Sequence, residues 1–157
     1  MSSIHIIYAS TSGHTEFVVD TLIAYLKKQR KDLTIEKKRA ELATPEDLLN
    51  CDSLVLASST WNTGGPEGQL NPHMFALVMN RAADVDLKKK KVAVIGLGDD
   101  RYHFVCEAAA HLEEFVTSRG GTLIRPTLRI INEPYNQQKK VEQWAGILNS
   151  PSSILHS

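Results

Sequence analysis

Two runs, Leu54-Val55-Leu56-Ala57 and Val92-Ala93-Val94-Ile95-Gly96, limit what this chain can fold into. Each is short, continuous and apolar, with no polar residue on alternate positions. A strand with one face in water would alternate, so these runs predict strands covered on both faces, as in a parallel sheet sandwiched by helices. Ile4-His5-Ile6-Ile7-Tyr8 reads as a third such strand. Thr34 to Lys37 is a weaker one, and Thr122-Leu123-Ile124 followed by Leu128 to Ile131, interrupted by Pro126, makes a last irregular one. Helical spacing fills the intervals: Phe17, Val18, Thr21, Leu22, Tyr25 and Leu26; then Leu70, Met74, Leu77 and Val78; then Ala109, Leu112, Phe115 and Val116; then Val141, Trp144, Ala145 and Leu148. Thr44-Pro45-Glu46-Asp47 carries the cap, first-turn proline and acids of a short helix. Alternation of this kind predicts a mostly parallel sheet with helices on both faces.

Such sheets bind ligands outside the carboxyl ends of their strands, where the strand order reverses. The rule selects Ser10–Thr15, Ser58–Gly68 and Gly96–Cys106, which are also the chemically unusual stretches. The first, Ser10-Thr11-Ser12-Gly13-His14-Thr15, follows a strand and opens a helix. Its backbone N–H groups and hydroxyls suit an anion; the alternative reading is a plain helix cap by Thr11 or Ser12. It has no lysine after the glycine and no G-x-G-x-x-G, so it matches neither the triphosphate loop nor the dinucleotide fingerprint. A monophosphate held by neutral donors is the remaining expectation. In the second loop, Trp61 sits among turn-forming residues, either plugging the core or walling a flat aromatic ligand. In the third, Tyr102 either packs on the surface or forms the opposite wall, and Gly96 and Gly98 are expected to let the backbone approach a ligand edge.

The chain has 157 residues, with 18 basic and 18 acidic ones. One domain over 1–149 with a mobile tail over 150–157 is expected. Zero formal charge gives no support to nucleic-acid binding. No apolar run approaches the ~20 residues of a membrane helix, and a cytoplasmic protein is the default expectation. Lys88-Lys89-Lys90-Lys91 reads as a solvated strand entry, Cys51 and Cys106 as unpaired, and the histidines as lacking metal-ligand spacing.

Taken together, Ser10-Thr11-Ser12-Gly13-His14-Thr15, Ser59-Thr60-Trp61 and the segment Gly96–Cys106, "GLGDDRYHFVC", resemble the flavodoxins. "LEEFVTSRGGTLI" and "LRI" extend the likeness over nearly the whole chain. No insertion of ~20 residues splits the last strand, which resembles the short-chain form. The resemblance implies a doubly wound five-stranded parallel sheet of order 2-1-3-4-5, for which flavodoxin is itself a standard example. It implies FMN as cofactor, with Ser10, Thr11, Ser12, Gly13, His14 and Thr15 around the phosphate and Ser59 joining them. Trp61 and Tyr102 would sandwich the ring, Thr60 and Gly98 would lie in the flanking loops, and the backbone amides of Asp99 and Cys106 would meet the pyrimidine edge. The carbonyl of Asn62, in its peptide with Thr63, would accept from the flavin N5–H. The implied function is a low-potential one-electron carrier cycling between semiquinone and hydroquinone, not an enzyme, monomeric, fed by a reductase and emptied by acceptor enzymes.

Three departures accompany the resemblance. His14 stands where the family often has asparagine, "NTGGPEGQLNP" is poor in acids, and the whole chain is neutral where flavodoxins are usually strongly acidic. Competing readings are a small FMN-dependent quinone or azo reductase, a detached FMN domain of diflavin-reductase type, and a flavin-free interaction module.

Overall fold

The computed structural model describes residues 3–61, 65, 68–101 and 106–148. Five strands, β1 (Ser3–Ala9), β2 (Thr34–Arg39), β3 (Ser53–Trp61), β4 (Lys91–Gly98) and β5 (Thr122–Ile131), form one parallel sheet. Their order is 2-1-3-4-5, and a two-residue strand, Gln69–Leu70, pairs antiparallel with the end of β3. The helices are α1 (His14–Gln29), α2 (Pro45–Leu49), α3 (Pro72–Ala76), α4 (Glu107–Ser118) and α5 (Gln138–Leu148).

Alternation along the central strands explains the unbroken apolar runs. Ile4, Ile6, Tyr8, Val55, Ala57, Ala93 and Ile95 face one core, completed by Val18, Leu22, Val141, Trp144 and Leu148 of α1 and α5. Ile7, Ala9, Leu54, Leu56, Val92 and Val94 face the other, against Leu48, Met74, Leu77, Leu112, Phe115 and Val116 of α2, α3 and its continuation, and α4. The two faces consume alternate residues of the same strand, so every position must be apolar. β2, at one edge, packs Ile35 against the first core but is otherwise mostly exposed, and its sequence is charged accordingly.

Local structure departs from the sequence reading at Leu70 and within the lysine run. Leu70 belongs to the short strand rather than to the helix stripe, and the helix that follows is α-helical only to Ala76 before widening into a π turn over Leu77–Arg81. β5 is the single irregular strand that the sequence implied: its register against β4 slips between Ala93 and Ile95, so Ile124 faces Ala93 and Leu128 faces Ile95. The bulge absorbs Pro126, which has no N–H for the ladder. Within the lysine run, Lys88 and Lys89 are exposed as expected, but Lys90 is half-buried and its Nζ donates to the carbonyls of Leu49, at 2.9 Å, and Cys51. The short α2 starts as read, with Thr44 N donating to Asp47 Oδ2 at 2.8 Å. Among the described residues no helix is long and apolar enough to cross a membrane. The 150–157 segment lies outside the described residues.

Candidate functional site: a cleft at the carboxyl ends of the strands

The strand order reverses between β1 and β3, and the loops leaving β1, β3, β4 and β5 enclose a cleft of about 1060 Å³ there. Ser12, His14, Ser59, Thr60, Trp61, Gly98 and Asp99 line it. Ser10, Thr11, Gly13, Thr15 and Cys106 lie outside its lining, and Asn62, Thr63 and Tyr102 lie outside the described residues.

The β1 loop is built by one serine and one glycine. Ser10 is buried, and its Oγ accepts from Gly13 N at 3.1 Å and from Glu16 N at 3.4 Å. Gly13, at φ 91°, turns the chain into α1 and is itself the residue at the helix N-cap, a conformation only glycine adopts without strain. The N-cap residue offers no side chain, and the Ser10 hydroxyl, three residues earlier, is what reaches the third N–H of α1. The plain-cap reading of Thr11 and Ser12 is therefore wrong: both are exposed, and neither hydroxyl closes the helix start. Thr15 is 1% exposed, and its Oγ1 has no hydrogen-bond partner. A buried hydroxyl left open costs roughly 1–3 kcal/mol, so its place in the first turn of a helix needs a reason.

Sequence reasoning missed the residue that holds this loop from outside. Arg39, the last residue of β2, donates from its Nη2 to the Ser10 carbonyl. Beneath it, Tyr8 OH donates to Glu16 Oε2 at 2.8 Å. That bond lowers the Glu16 pKa, while burial and the same bond raise that of Tyr8. Arg39 is 29 residues from Ser10, and no local spacing marks the pair.

The end of β3 is stitched by its hydroxyls. Ser58 Oγ donates to Ser59 O at 2.9 Å and accepts from Asn71 N at 3.1 Å. Thr60 Oγ1 donates to Leu97 O at 2.8 Å and accepts from Ala108 N at 3.1 Å. Trp61, the last residue of the strand, is 39% exposed, and its indole Nε1 donates to Ser59 Oγ at 2.7 Å. It is no core plug but a half-open wall. The Ser59 hydroxyl is thus occupied in aiming Trp61 and also accepts from Asn71 Nδ2 at 3.4 Å.

At the end of β4, the two glycines do different work. A Cβ on Gly96 would lie 2.6 Å from Ala109 Cβ and 2.8 Å from Ala109 N, so Gly96 exists to let α4 close on the sheet. The expectation that it approaches a ligand is corrected; Gly98 lines the cleft. Asp99 forms a fork with Arg101, whose Nη2, Nε and backbone N reach its carboxylate at 2.5, 2.9 and 2.9 Å. The Arg101 side chain lowers the Asp99 pKa to about 2. Cys106, just before α4, has a thiol raised by burial, as has Cys51, so neither is an activated nucleophile.

The fourth side comes from residues after β5 that sequence reasoning did not nominate. Asn132, at φ 68°, donates from its N to Gly98 O at 2.7 Å and grips Asp100 through both side-chain atoms, at 3.1 and 3.0 Å. Tyr135 meets His14 edge-on at 5.4 Å and Phe17 at 4.9 Å. His14 is accordingly the half-buried first residue of α1, not a free loop residue. Two other histidines are tied to backbone carbonyls: His5 Nδ1 lies 2.7 Å from Asp47 O and His111 Nε2 2.7 Å from Gly68 O. Among the described residues no group of three His, Cys, Asp or Glu is arranged to hold a metal ion.

A cleft at the switch point of a doubly wound parallel sheet, with a hydroxyl-rich loop at a helix start and a half-exposed tryptophan at its edge, places the chain among the ligand-binding α/β proteins. The family model for flavodoxin matches residues 6–144, and the chain belongs to the flavodoxin family, in its short-chain form. It is 31% identical over 145 residues to a flavodoxin of Maridesulfovibrio salexigens, covering 92% of this chain and 94% of that one. The crystal structure of oxidised flavodoxin 2 from Bacillus cereus has 32% identity and a TM-score of 0.76, covering 93% of this chain and 97% of that one. Flavodoxin 1 of the same organism has 25% identity and a TM-score of 0.80, covering 93% and 96%. Members of this family are FMN-binding electron carriers rather than enzymes, and this chain is one of them.

Proposed function

We propose that this carrier holds the FMN phosphate in the loop Ser10, Thr11, Ser12, Gly13, His14 and Thr15, and the ring against Trp61. The observation that carries the reading is the Thr15 hydroxyl, buried and unpartnered in the first turn of α1. A phosphate oxygen would complete it, and the helix start adds N–H donors and a favourable dipole. The donor set also fits in kind, for Ser10, Thr11, Ser12 and Thr15 offer neutral hydroxyls and backbone N–H groups. The bound flavin supplies the one-electron chemistry.

The protein's contribution is then to bind, shield and bias. Trp61 covers one face of the ring and excludes water from it. Asn62, Thr63 and Tyr102 retain the roles the family resemblance implies, as do the amides of Asp99 and Cys106, with Thr60 and Gly98 beside them. An anion whose direct donors are neutral disfavours further negative charge nearby, which supports a low-potential couple. Electrons exchange with partner proteins, which fit a reductase-type donor and acceptor redox enzymes. A monomer in the cytoplasm, with one folded domain over 1–149 and a tail over 150–157, suits such a shuttle. The quinone- or azo-reductase reading is less favoured because Trp61 occupies the face a hydride donor would need.

Apoprotein titrated against FMN and, in parallel, riboflavin tests the reading by flavin fluorescence. Strong quenching at stoichiometric protein is expected, with riboflavin at least tenfold weaker. Equal affinities would remove the phosphate assignment, and absent quenching would remove the aromatic wall.

A further inference from the structure

The edge strand β2 ends in a side chain that reaches under the anion loop. Arg39 is half-buried, and its guanidinium meets four groups at once. Nη2 donates to the Ser10 carbonyl, Nε lies 3.0 Å from Glu41 Oε2, Nη1 lies 3.5 Å from Glu16 Oε1, and the plane sits 5.5 Å from the centre of the Tyr8 ring. Tyr8 precedes the loop, Ser10 opens it, and Glu16 follows it in the first turn of α1. One planar fork therefore brackets the loop on three sides, and Lys37 adds a second cation at 3.2 Å from Glu16 Oε2.

The Ser10 carbonyl is the informative contact. A trans peptide points its C=O and the following N–H in opposite directions. With the Ser10 oxygen turned onto Arg39, the N–H of Thr11 must point away from Arg39, to the other side of the loop backbone. Rotation of that one peptide would exchange a donor for an acceptor, which repels an anion. A charged donor on the carbonyl also polarises the peptide and strengthens its N–H as a donor. Three of the four contacts need the geometry of a guanidinium, which a single ammonium cannot span.

We propose that Arg39 is a positioning residue for phosphate recognition: by fixing the Ser10–Thr11 peptide it makes FMN-over-riboflavin discrimination depend on a residue outside the loop. This rests on the phosphate assignment above. It is independent of the ring contacts, because Arg39 does not line the cleft.

The test is the affinity of Arg39→Met apoprotein for FMN and for riboflavin at one ionic strength, beside the parent protein. FMN affinity is expected to fall at least tenfold while riboflavin affinity changes less than twofold. Unchanged FMN affinity, or equal losses for both ligands, would overturn the proposal. The first would mean the peptide is held without Arg39, the second that Arg39 serves only the fold. If Arg39→Met shows no cooperative unfolding transition, Arg39→Lys answers the same question: a selective FMN loss of at least threefold supports the proposal and its absence overturns it. A parent protein that binds FMN no better than riboflavin fails earlier, at the phosphate assignment, and takes this proposal with it.

Discussion

Ala9-Ser10-Thr11-Ser12 and Ala57-Ser58-Ser59-Thr60 are near copies, each a strand end followed by three hydroxyls, yet the fold employs them in opposite ways. In the second, the strand continues to Trp61 and every hydroxyl is bonded inside the protein, joining β3 to β4, to α4 and to the segment before α3. In the first, the strand stops at Ala9, Gly13 turns the backbone to φ 91°, and the side chains of Thr11 and Ser12 are turned to solvent. Only Ser10 is used internally. What separates the two, a seam and a loop, is thus not composition but where the strand ends: a hydroxyl that still lies in the sheet is bonded within the protein, whereas Thr11 and Ser12, beyond it, are left to solvent.

The contrast can be broken most easily on the side of the seam. Thr60→Val removes one donor and one acceptor, costing Leu97 O one bond and Ala108 N, in a fully buried residue at the start of α4, its side-chain acceptor. The apoprotein should lose about 2–3 kcal/mol in denaturant unfolding. On the side of the loop, Thr15→Val should act in reverse. The apoprotein keeps its stability or gains up to about 1 kcal/mol, since an unpaired buried hydroxyl disappears, while FMN affinity falls about tenfold, or about 1.4 kcal/mol. A less stable Thr15→Val apoprotein would mean that the hydroxyl is satisfied before ligand arrives.

The smallest effect belongs to Asp99→Asn. The Asp99 pKa is lowered to about 2 from 3.8 by Arg101, so its ionised pair adds stability above the ordinary carboxylate range. That contribution is lost as pH falls from about 4 towards 2. Between pH 6 and 8 the variant should melt slightly below the parent by a constant margin, which closes by pH 2 and shrinks with salt, because Arg101 is largely exposed. A margin that changed between pH 6 and 8 would contradict the assigned titration.

Much of this was legible because it is periodic. Leu54 to Ala57 and Val92 to Ile95 announce buried parallel strands, and the change of period on either side of Ser10–Thr15 announces a strand entering a helix. The family's strand order came with the resemblance and is the order observed. What escaped is pairwise and distant. Nothing near Arg39 marks its reach to Ser10, and nothing near Asn132 marks its hold on Gly98 and Asp100. Gly96 looked like a ligand glycine because a glycine that admits a ligand and one that admits a helix are the same letter, and only Ala109 opposite it decides. Leu70 kept helical spacing with Met74 by coincidence, because a buried strand residue and a buried helix residue are equally apolar.

The Thr60 seam has a mechanical consequence. Trp61 is the tip of a nine-residue strand, and the residue before it is riveted to the neighbouring strand and to the start of α4, where bare Gly96 lets the helix rest on the sheet. The wall of the cleft is therefore a cantilever rooted in the hydrophobic core, not a flap. If the ring rests on Trp61 as proposed, a support so anchored would shift little when the charge beside it changes, and that would lower the barrier to gaining or losing an electron.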